Sequence, residues 1–374
     1  MAGQKAKYEE IVDWITEKIE SGELSEGDRI YSEQKLVSVF RVSRQTVRHA
    51  ISVLGDRGLV VSVQGSGTYV KDSRCGVGRK QKTMRIAIMV TYVDEYIFTG
   101  IINEIENILS RAEYTLEIAF THNMVERERR ILQKFLREDA IDGVIAETTK
   151  SGLPNPNLDF YRELKRKGIP VVFINSSYPE LSAIHVSMDD FWAGKTATEH
   201  LLECGHQKIG GIFKLDDGQG HKRYAGYMSA LMEHDIRVKD EHISWIDTID
   251  LYRMEQEGES FLERLKDCTA CVCYNDEVAV KLINICRMNR IAVPGKLSVV
   301  GIDNSNLAVY CDVPLTSVDN PIIGLARNAA GIMLSLLNSE KVTESVELTS
   351  ELVIRNSTRI IDNEGMHRGG QMLP

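Results

Sequence analysis

Apolar residues return at every third or fourth position from Tyr8 to Ile19, at Tyr8, Ile11, Val12, Ile15 and Ile19, and predict an amphipathic helix that Ser21-Gly22 ends. Ser32 reads as the cap of a second helix carrying Leu36, Val37 and Phe40. After the short gap Arg41-Val42, Ser43 caps a third, carrying Val47, Ala50, Ile51 and Leu54. Past Gly55 and Gly58 the period drops to that of strands. Leu59 to Val63 and Thr68 to Val70 are joined by Gln64-Gly65-Ser66-Gly67, whose glycines suit a tight hairpin. From Arg85 onward short apolar runs alternate with helical stretches: Arg85–Val90, Gly143–Ala146, Pro170–Ile174, Ile209–Phe213, Ile243–Ile246, Ala270–Cys273 and Ser298–Ile302. That alternation predicts an α/β unit built on parallel sheets.

The two halves call for different chemistry. On the third helix, Val47, Ile51 and Leu54 form a core face, and Gln45, Arg48 and Ser52 project to the opposite side, with Arg44 in the first turn. Arginine can pair bidentately with guanine, and glutamine with adenine, in a major groove. The pattern of three helices and a hairpin is that of a winged helix-turn-helix, in which such a helix reads base edges.

The stretch SEQKLVSVFRVSRQTVRHAISVLGDRGLVVSVQGSGTYV, Ser32 to Val70, resembles the signature of GntR-family regulators, with Tyr31 where that family usually has proline. The resemblance implies a DNA face of Glu33, Arg44, Gln45, Thr46 and Arg48, with Gln64 and Gly65 at the wing, and double-stranded operator DNA as partner. Glu33 has two readings, an acceptor for cytosine or a complement to its own helix N-terminus. The entry to the second helix, without the proline, is expected to be less rigid.

The region after residue 83 is about 290 residues long, beyond the usual ~100–200 of one domain, so two lobes with a cleft are expected. In open parallel sheets, ligands bind beyond the carboxyl ends of the strands. One or two positions past the predicted strands stand Glu147, Asn175, Asn275-Asp276 and Asp303-Asn304. Tyr92, Tyr96 and Phe98 follow the first strand, and His221 and Arg223 follow the strand ending near Phe213. Carboxylates that accept, amides and an arginine that donate, and aromatic planes are what a sugar asks of a site. Asp276 reads as a cap for the helix beginning at Glu277, outside the pocket. No phosphate cradle accompanies the set, which favours a neutral sugar.

The segments Ala197–Ile212 (ATEHLLECGHQKIGGI), Arg223–Leu231, Cys273–Ile283, Val293–Pro321 and Glu351–Thr358 resemble, in order and spacing, the effector domain of LacI/GalR-family regulators. That likeness implies a two-lobed type I periplasmic-binding-protein fold whose chain crosses between lobes three times, with Arg223, Asn275 and Asp303 touching ligand. A GntR-type head on a LacI/GalR-type sensor resembles the arabinose-repressor family. By that resemblance the chain is expected to be a homodimeric repressor of arabinose-utilisation genes, released from its operator by L-arabinose. Xylose- or galactose-type regulation and a sugar-converting enzyme are the alternatives. The implied organisation is a head over residues 1–70, a linker over 71–83, an effector domain over 84–361 and a tail over 362–374.

Composition narrows the class. A net charge of −9 argues against a protein that coats nucleic acid indiscriminately. Within residues 71–85, Lys71, Arg74, Arg79, Lys80, Lys82 and Arg85 nevertheless stand against Asp72 alone, as a tether near phosphates would. Cys268, Cys271 and Cys273 lack the second close pair of a zinc site, so these cysteines are expected as thiols and no metal is expected. The first ten residues have no apolar core and no run of apolar residues is long enough to span a membrane, so a cytoplasmic protein is expected. No nucleophile elbow, Walker motif or metal spacing is present, so neither catalytic residues nor a cofactor beyond the small-molecule effector are expected.

Overall fold

The structure is a computed structural model that describes residues 7–361 apart from 21, 22, 26, 57, 58, 64, 65, 71–81, 93–96 and 139. Gln64, Gly65, Tyr96, the basic residues Lys71, Arg74, Arg79 and Lys80, and the tail 362–374 lie outside the described residues. The chain divides into two compact units, residues 1–82 and 83–374.

The first unit is a winged helix-turn-helix. Its helices are Lys7–Glu20, Glu33–Phe40 and Arg44–Asp56, followed by antiparallel strands Val60–Val63 and Gly67–Val70. The serine caps form as expected: Ser32 Oγ accepts from the Lys35 amide at 3.3 Å and Ser43 Oγ from the Thr46 amide at 3.1 Å. Arg41, in the left-handed region at φ 51°, stops the second helix so that the third can begin three residues on. Ile11, Ile15, Leu36, Val47, Ala50, Leu54, Val60 and Val70 make the core, with Ile51 only partly buried at its edge. At the entry to the second helix the Tyr31 ring packs 5.1 Å from Trp14 and lies under the Lys35 ammonium at 4.5 Å. Gly67 sits at φ 141°, a backbone conformation that residues with a Cβ rarely adopt.

The second unit holds two six-stranded sheets. The first, all parallel, runs Val346–Leu348, Ile184–Met188, Val171–Ile174, Gly143–Glu147, Arg85–Val90, Thr115–Phe120. The second runs Leu352–Val353, Thr316–Asp319, Ser298–Asp303, Ala270–Cys273, Ile209–Lys214, Ile243–Ile246, parallel except for the first pair. The chain passes between lobes after Met188, after Asp319 and after Leu348, three times, as the resemblance implied. All seven strands expected from the sequence are present. Each sheet packs helices against its faces, and residues such as Ile88, Val144, Ile302 and Val272 are fully buried.

Candidate nucleic-acid interface and effector cleft

On the third helix Val47 is sealed in the core while Arg44, Gln45 and Arg48 are exposed and Thr46 is half-buried, its hydroxyl 2.9 Å from Ser43 Oγ. The helical period thus separates packing residues from a polar face that has room for a groove. Glu33 takes a role neither sequence reading gave it. Both of its carboxylate oxygens lie 3.2 Å from Arg48 Nε, bridging the second and third helices.

In the second unit the carboxyl ends of both sheets face one another across a chamber of about 90 Å³. That is well short of the ~300 Å³ where pockets for drug-sized ligands begin, so only a compact ligand fits without parting the lobes. Lobe one contributes Thr91, Tyr92, Phe98, Asn123, Glu147, Lys150 and Asn175; lobe two contributes Lys214, Asp217, Arg223, Tyr274, Asn275 and Asp303. The structure therefore gathers Phe98, Glu147, Arg223, Asn275 and Asp303 at one place. His221 is set apart. It does not line the chamber: its Nε2 lies 2.8 Å from the Leu215 carbonyl and its ring stands edge-on to Trp245 at 5.9 Å.

Arg223 is the centre of the lobe-two wall. Only 1% exposed, it donates from Nε to Asp190 at 2.9 Å, from Nη1 to the Tyr274 carbonyl at 2.6 Å and from Nη2 to Asp303 at 3.3 Å. Burial pulls the guanidinium down, but the Asp303 and Asp190 carboxylates outweigh it and hold it above its ordinary value. Burial also pushes the Asp190 carboxyl up to about 6, against the pull of Arg223. The arginine reaches this position because glycines let its helix approach: a Cβ on Gly194 would stand 2.0 Å from the Arg223 carbonyl oxygen.

Glu147 faces this wall from lobe one. It accepts from the Thr91 amide at 2.7 Å and the Thr91 hydroxyl at 2.6 Å, with the Asn175 amide at 3.4 Å. Burial nevertheless pushes its carboxyl up to about 7. Near neutrality it can therefore both accept and donate toward a hydroxyl. Lys150 and Lys214 also line the chamber, but their ammonium groups lie 3.6 and 3.9 Å from Asp216, so they do not make a phosphate cradle.

Asn275, not Asp276, caps the helix Asp276–Met288, its Oδ1 accepting from the Val278 amide at 3.0 Å. Asp276 is the first helical residue. It is fully buried and accepts from the Ser305 amide at 2.7 Å and the Ser317 hydroxyl at 2.5 Å, fixing the loop after Asp303 from outside the chamber. His122, Asn123, Lys150, Asn175, Asp303 and Asn304 all hold positive φ at the strand ends around the chamber. Backbone of this kind persists only where the surroundings over-determine it, and it gathers at binding sites.

Sequence reasoning missed Asn123, Lys150, Lys214, Asp217 and Tyr274. Asn123 follows a strand that was not expected, and Lys150 stands three residues past its strand. No signal marked Tyr274, the residue before Asn275. Among the described residues no His, Cys, Asp and Glu cluster could hold a metal ion. Cys268, Cys271 and Cys273 are buried thiols, and burial pushes Cys268 up to about 12.

Residues 7–70 match the family model for bacterial regulatory proteins, gntR family, and residues 198–358 that for a periplasmic binding protein-like domain. The arabinose metabolism transcriptional repressor of Halalkalibacterium halodurans is 39% identical over 95% of this chain and 97% of its own length. The chain belongs to the family of arabinose metabolism transcriptional repressors. The Geobacillus stearothermophilus repressor of that name is 36% identical over 94% of this chain and 96% of its own. Among solved structures, the transcription regulator CcpA of Lactococcus lactis aligns over 74% of this chain and 99% of its own with a TM-score of 0.65 at 25% identity. The complex of the regulator CelR with cellobiose covers 84% of this chain and 91% of its own, with a TM-score of 0.66 at 23% identity, a likeness of fold. As a member of this repressor family, the chain is a DNA-binding transcriptional repressor with a sugar-sensing second unit. Its relatives are regulators rather than enzymes.

Proposed function

We propose that the chain binds operator DNA as a homodimer, represses arabinose-utilisation genes, and lets go when L-arabinose occupies the cleft. The observation that carries the sugar is the chamber itself, where Glu147 and Asn175 from one lobe meet Arg223, Asn275 and Asp303 from the other in a space of about 90 Å³. A small neutral polyol satisfies such a ring of donors and acceptors. In this reading Arg44, Gln45, Thr46 and Arg48 read the major groove, with Gln64 and Gly65 at the wing, and Glu33 acts through Arg48.

A second copy of the chain finds a surface along one side of the sensor. Thr115–Phe120 and Ile243–Ile246 each form one edge of their sheet, on the side away from the crossings, and Ile118, Met124, Trp245, Ile249 and Tyr252 are exposed on or beside them. Unpaired edges with apolar side chains are what a two-fold partner covers. Release by sugar requires that the effector bind the DNA-free form more tightly than the DNA-bound form. Fluorescence anisotropy on operator DNA, titrated with L-arabinose, D-xylose and D-galactose, tests the reading. L-Arabinose is expected to lower operator affinity at concentrations where the others do not. An operator affinity indifferent to all three defeats it, and consumption of a pentose by the purified protein would point to an enzyme.

A further inference from the structure

The chamber is closed on the side away from the three crossings by a polar set in which Asn123 and Lys150 also line the chamber, while Asp216 and Thr248 stand behind its wall. Asn123 and Lys150 stand at strand ends of lobe one, and Asp216 and Thr248 follow the last two strands of lobe two. The Asn123 amide nitrogen donates to Thr248 Oγ1 at 2.6 Å and to Asp216 Oδ2 at 3.3 Å. Thr248 Oγ1 donates in turn to Asp216 Oδ2 at 2.8 Å. Lys150 joins from the same lobe as Asn123, its amide donating to Asn123 Oδ1 at 2.7 Å and its ammonium 3.6 Å from Asp216. Backbone closes beside it: the Gly152 amide donates to the Asp216 carbonyl at 3.3 Å, and a Cβ on Gly152 would stand 2.5 Å from the Leu215 carbonyl.

This junction is a polar knot buried between lobes. Asp216 is 2% exposed, and its Oδ1 is buried with no hydrogen-bond partner. A carboxylate so placed gives up water in the closed form, and what holds it there is the hydrogen bonds to Oδ2 together with the Lys150 ammonium at 3.6 Å and the Lys214 ammonium, 3.9 Å from Oδ1. Lys150 and Asn123 are both held at positive φ, and Thr149 before Lys150 is pinned by the Tyr178 hydroxyl, which itself donates to the buried Glu128. Lobe one therefore presents its half of the knot on rigid backbone.

We propose that Asp216 and Thr248, by holding Asn123 and Lys150, form a clasp that sets how far the lobes stay closed, and so act on effector affinity from behind the ligand wall. Asp216 and Thr248 do not line the chamber. They are positioning residues: a ligand that binds only the closed form has its apparent affinity scaled by the fraction of molecules closed. The clasp also sits beside Met124 and Ile249 of the exposed apolar edge, so opening it moves the surface offered to a second copy. The affinity consequence rests on the proposed arabinose reading; the closure itself does not.

Hydrogen exchange read by mass spectrometry on the full-length chain separates the two. In Thr248→Val, which keeps shape and loses the hydroxyl, amides in 150–152 and 215–218 are expected to exchange about tenfold faster or more, the loss of one buried hydrogen bond. Protection of Ala270–Cys273 is expected to stay at the wild-type level, and Thr248→Ser is expected to restore the slow exchange. Asp216→Asn, which weakens the ion pair with Lys150, serves as the second variant and is expected to behave as Thr248→Val does. By calorimetry L-arabinose should bind both loosened variants about tenfold more weakly than wild type. Unchanged exchange at 150–152 and 215–218 in both variants overturns the clasp. So does a loss of core protection that Thr248→Ser fails to restore, or an unaltered sugar affinity in variants that do open. If the wild type binds no L-arabinose while the exchange pattern holds, the sugar assignment fails and the clasp stands.

Discussion

Arg48 Nε lies 3.2 Å from both carboxylate oxygens of Glu33, so one residue of the second helix grips the side chain that the third helix holds out to solvent. The pair is open to water, with side chains 70% and 39% exposed, and an exposed ion pair adds at most ~1 kcal/mol to stability. Its effect is therefore on direction: the grip at Nε leaves the terminal amino groups of the guanidinium to face a base or a phosphate.

Arg48→Ala is expected to weaken operator binding by about 1–3 kcal/mol, the range for a bidentate base contact, with sugar affinity unchanged. Glu33→Gln should weaken it less and leave the melting temperature where it was. If Glu33 acts through Arg48, the double variant is no worse than Arg48→Ala alone, and anisotropy on the four proteins measures that coupling.

Asp303→Ala is expected to give a repressor that still binds its operator and no longer responds to sugar. The substitution removes an acceptor that Arg223 at 3.3 Å and Asn320 at 3.2 Å both use, and leaves a buried arginine with one carboxylate instead of two. Loss of a buried partner costs about 3–5 kcal/mol when a charge is involved. Calorimetry with L-arabinose beside operator anisotropy checks it. A variant that loses both functions together contradicts the division of labour between units.

Gly194→Ala tests whether the ligand wall depends on close helix packing. The new methyl would meet the Arg223 backbone at 2.0 Å, forcing the helix Gly218–Glu233 away from Asp190–Glu203. Overpacking of this sort costs about 1–3 kcal/mol, and the displaced Arg223 should take sugar binding with it. Thermal melting and a sugar titration on the same protein report the two effects.

Stability should fall as pH rises through the range set by Glu147. Its carboxyl is held at about 7 in the folded chain against 4.5 unfolded, so between these values the native state binds more protons than the unfolded one. Unfolding free energy then decreases with pH across that window, by on the order of 3 kcal/mol for a shift of this size. Asp276, pushed up to about 7, and Asp190, up to about 6, act in the same direction. Denaturant melts from pH 4.5 to 7.5 should show the slope, and Glu147→Gln should flatten it.

The elements that sequence made legible were those whose side chains obey one period. The third helix of the head and the seven expected strands announce themselves because burial on one or both faces leaves runs such as Arg85–Val90 and Ala270–Cys273. The strands that escaped were of another kind. Thr115–Phe120 is an edge strand with Glu117 in its middle, and Thr316–Asp319 buries a threonine and a serine through hydrogen bonds rather than apolarity. With Thr115–Phe120 unseen, Asn123 could not be placed. His221 was misplaced for a different reason: it shares the chamber's helix, but its position turns it toward Trp245 on the outer side. Glu33 could not be resolved from sequence because its partner, Arg48, is fifteen residues away.

Three separate ribbons join the lobes, at Met188–Asp190, Asp319–Pro321 and Leu348–Leu352, and all three lie on one flank of the molecule. Tethers in a row forbid sliding and twisting far more than they forbid bending. Bending about the line of tethers is thereby the easiest motion left to the lobes, and in the proposed reading any sugar that enters would draw on that same stroke, differing only in how often it is made.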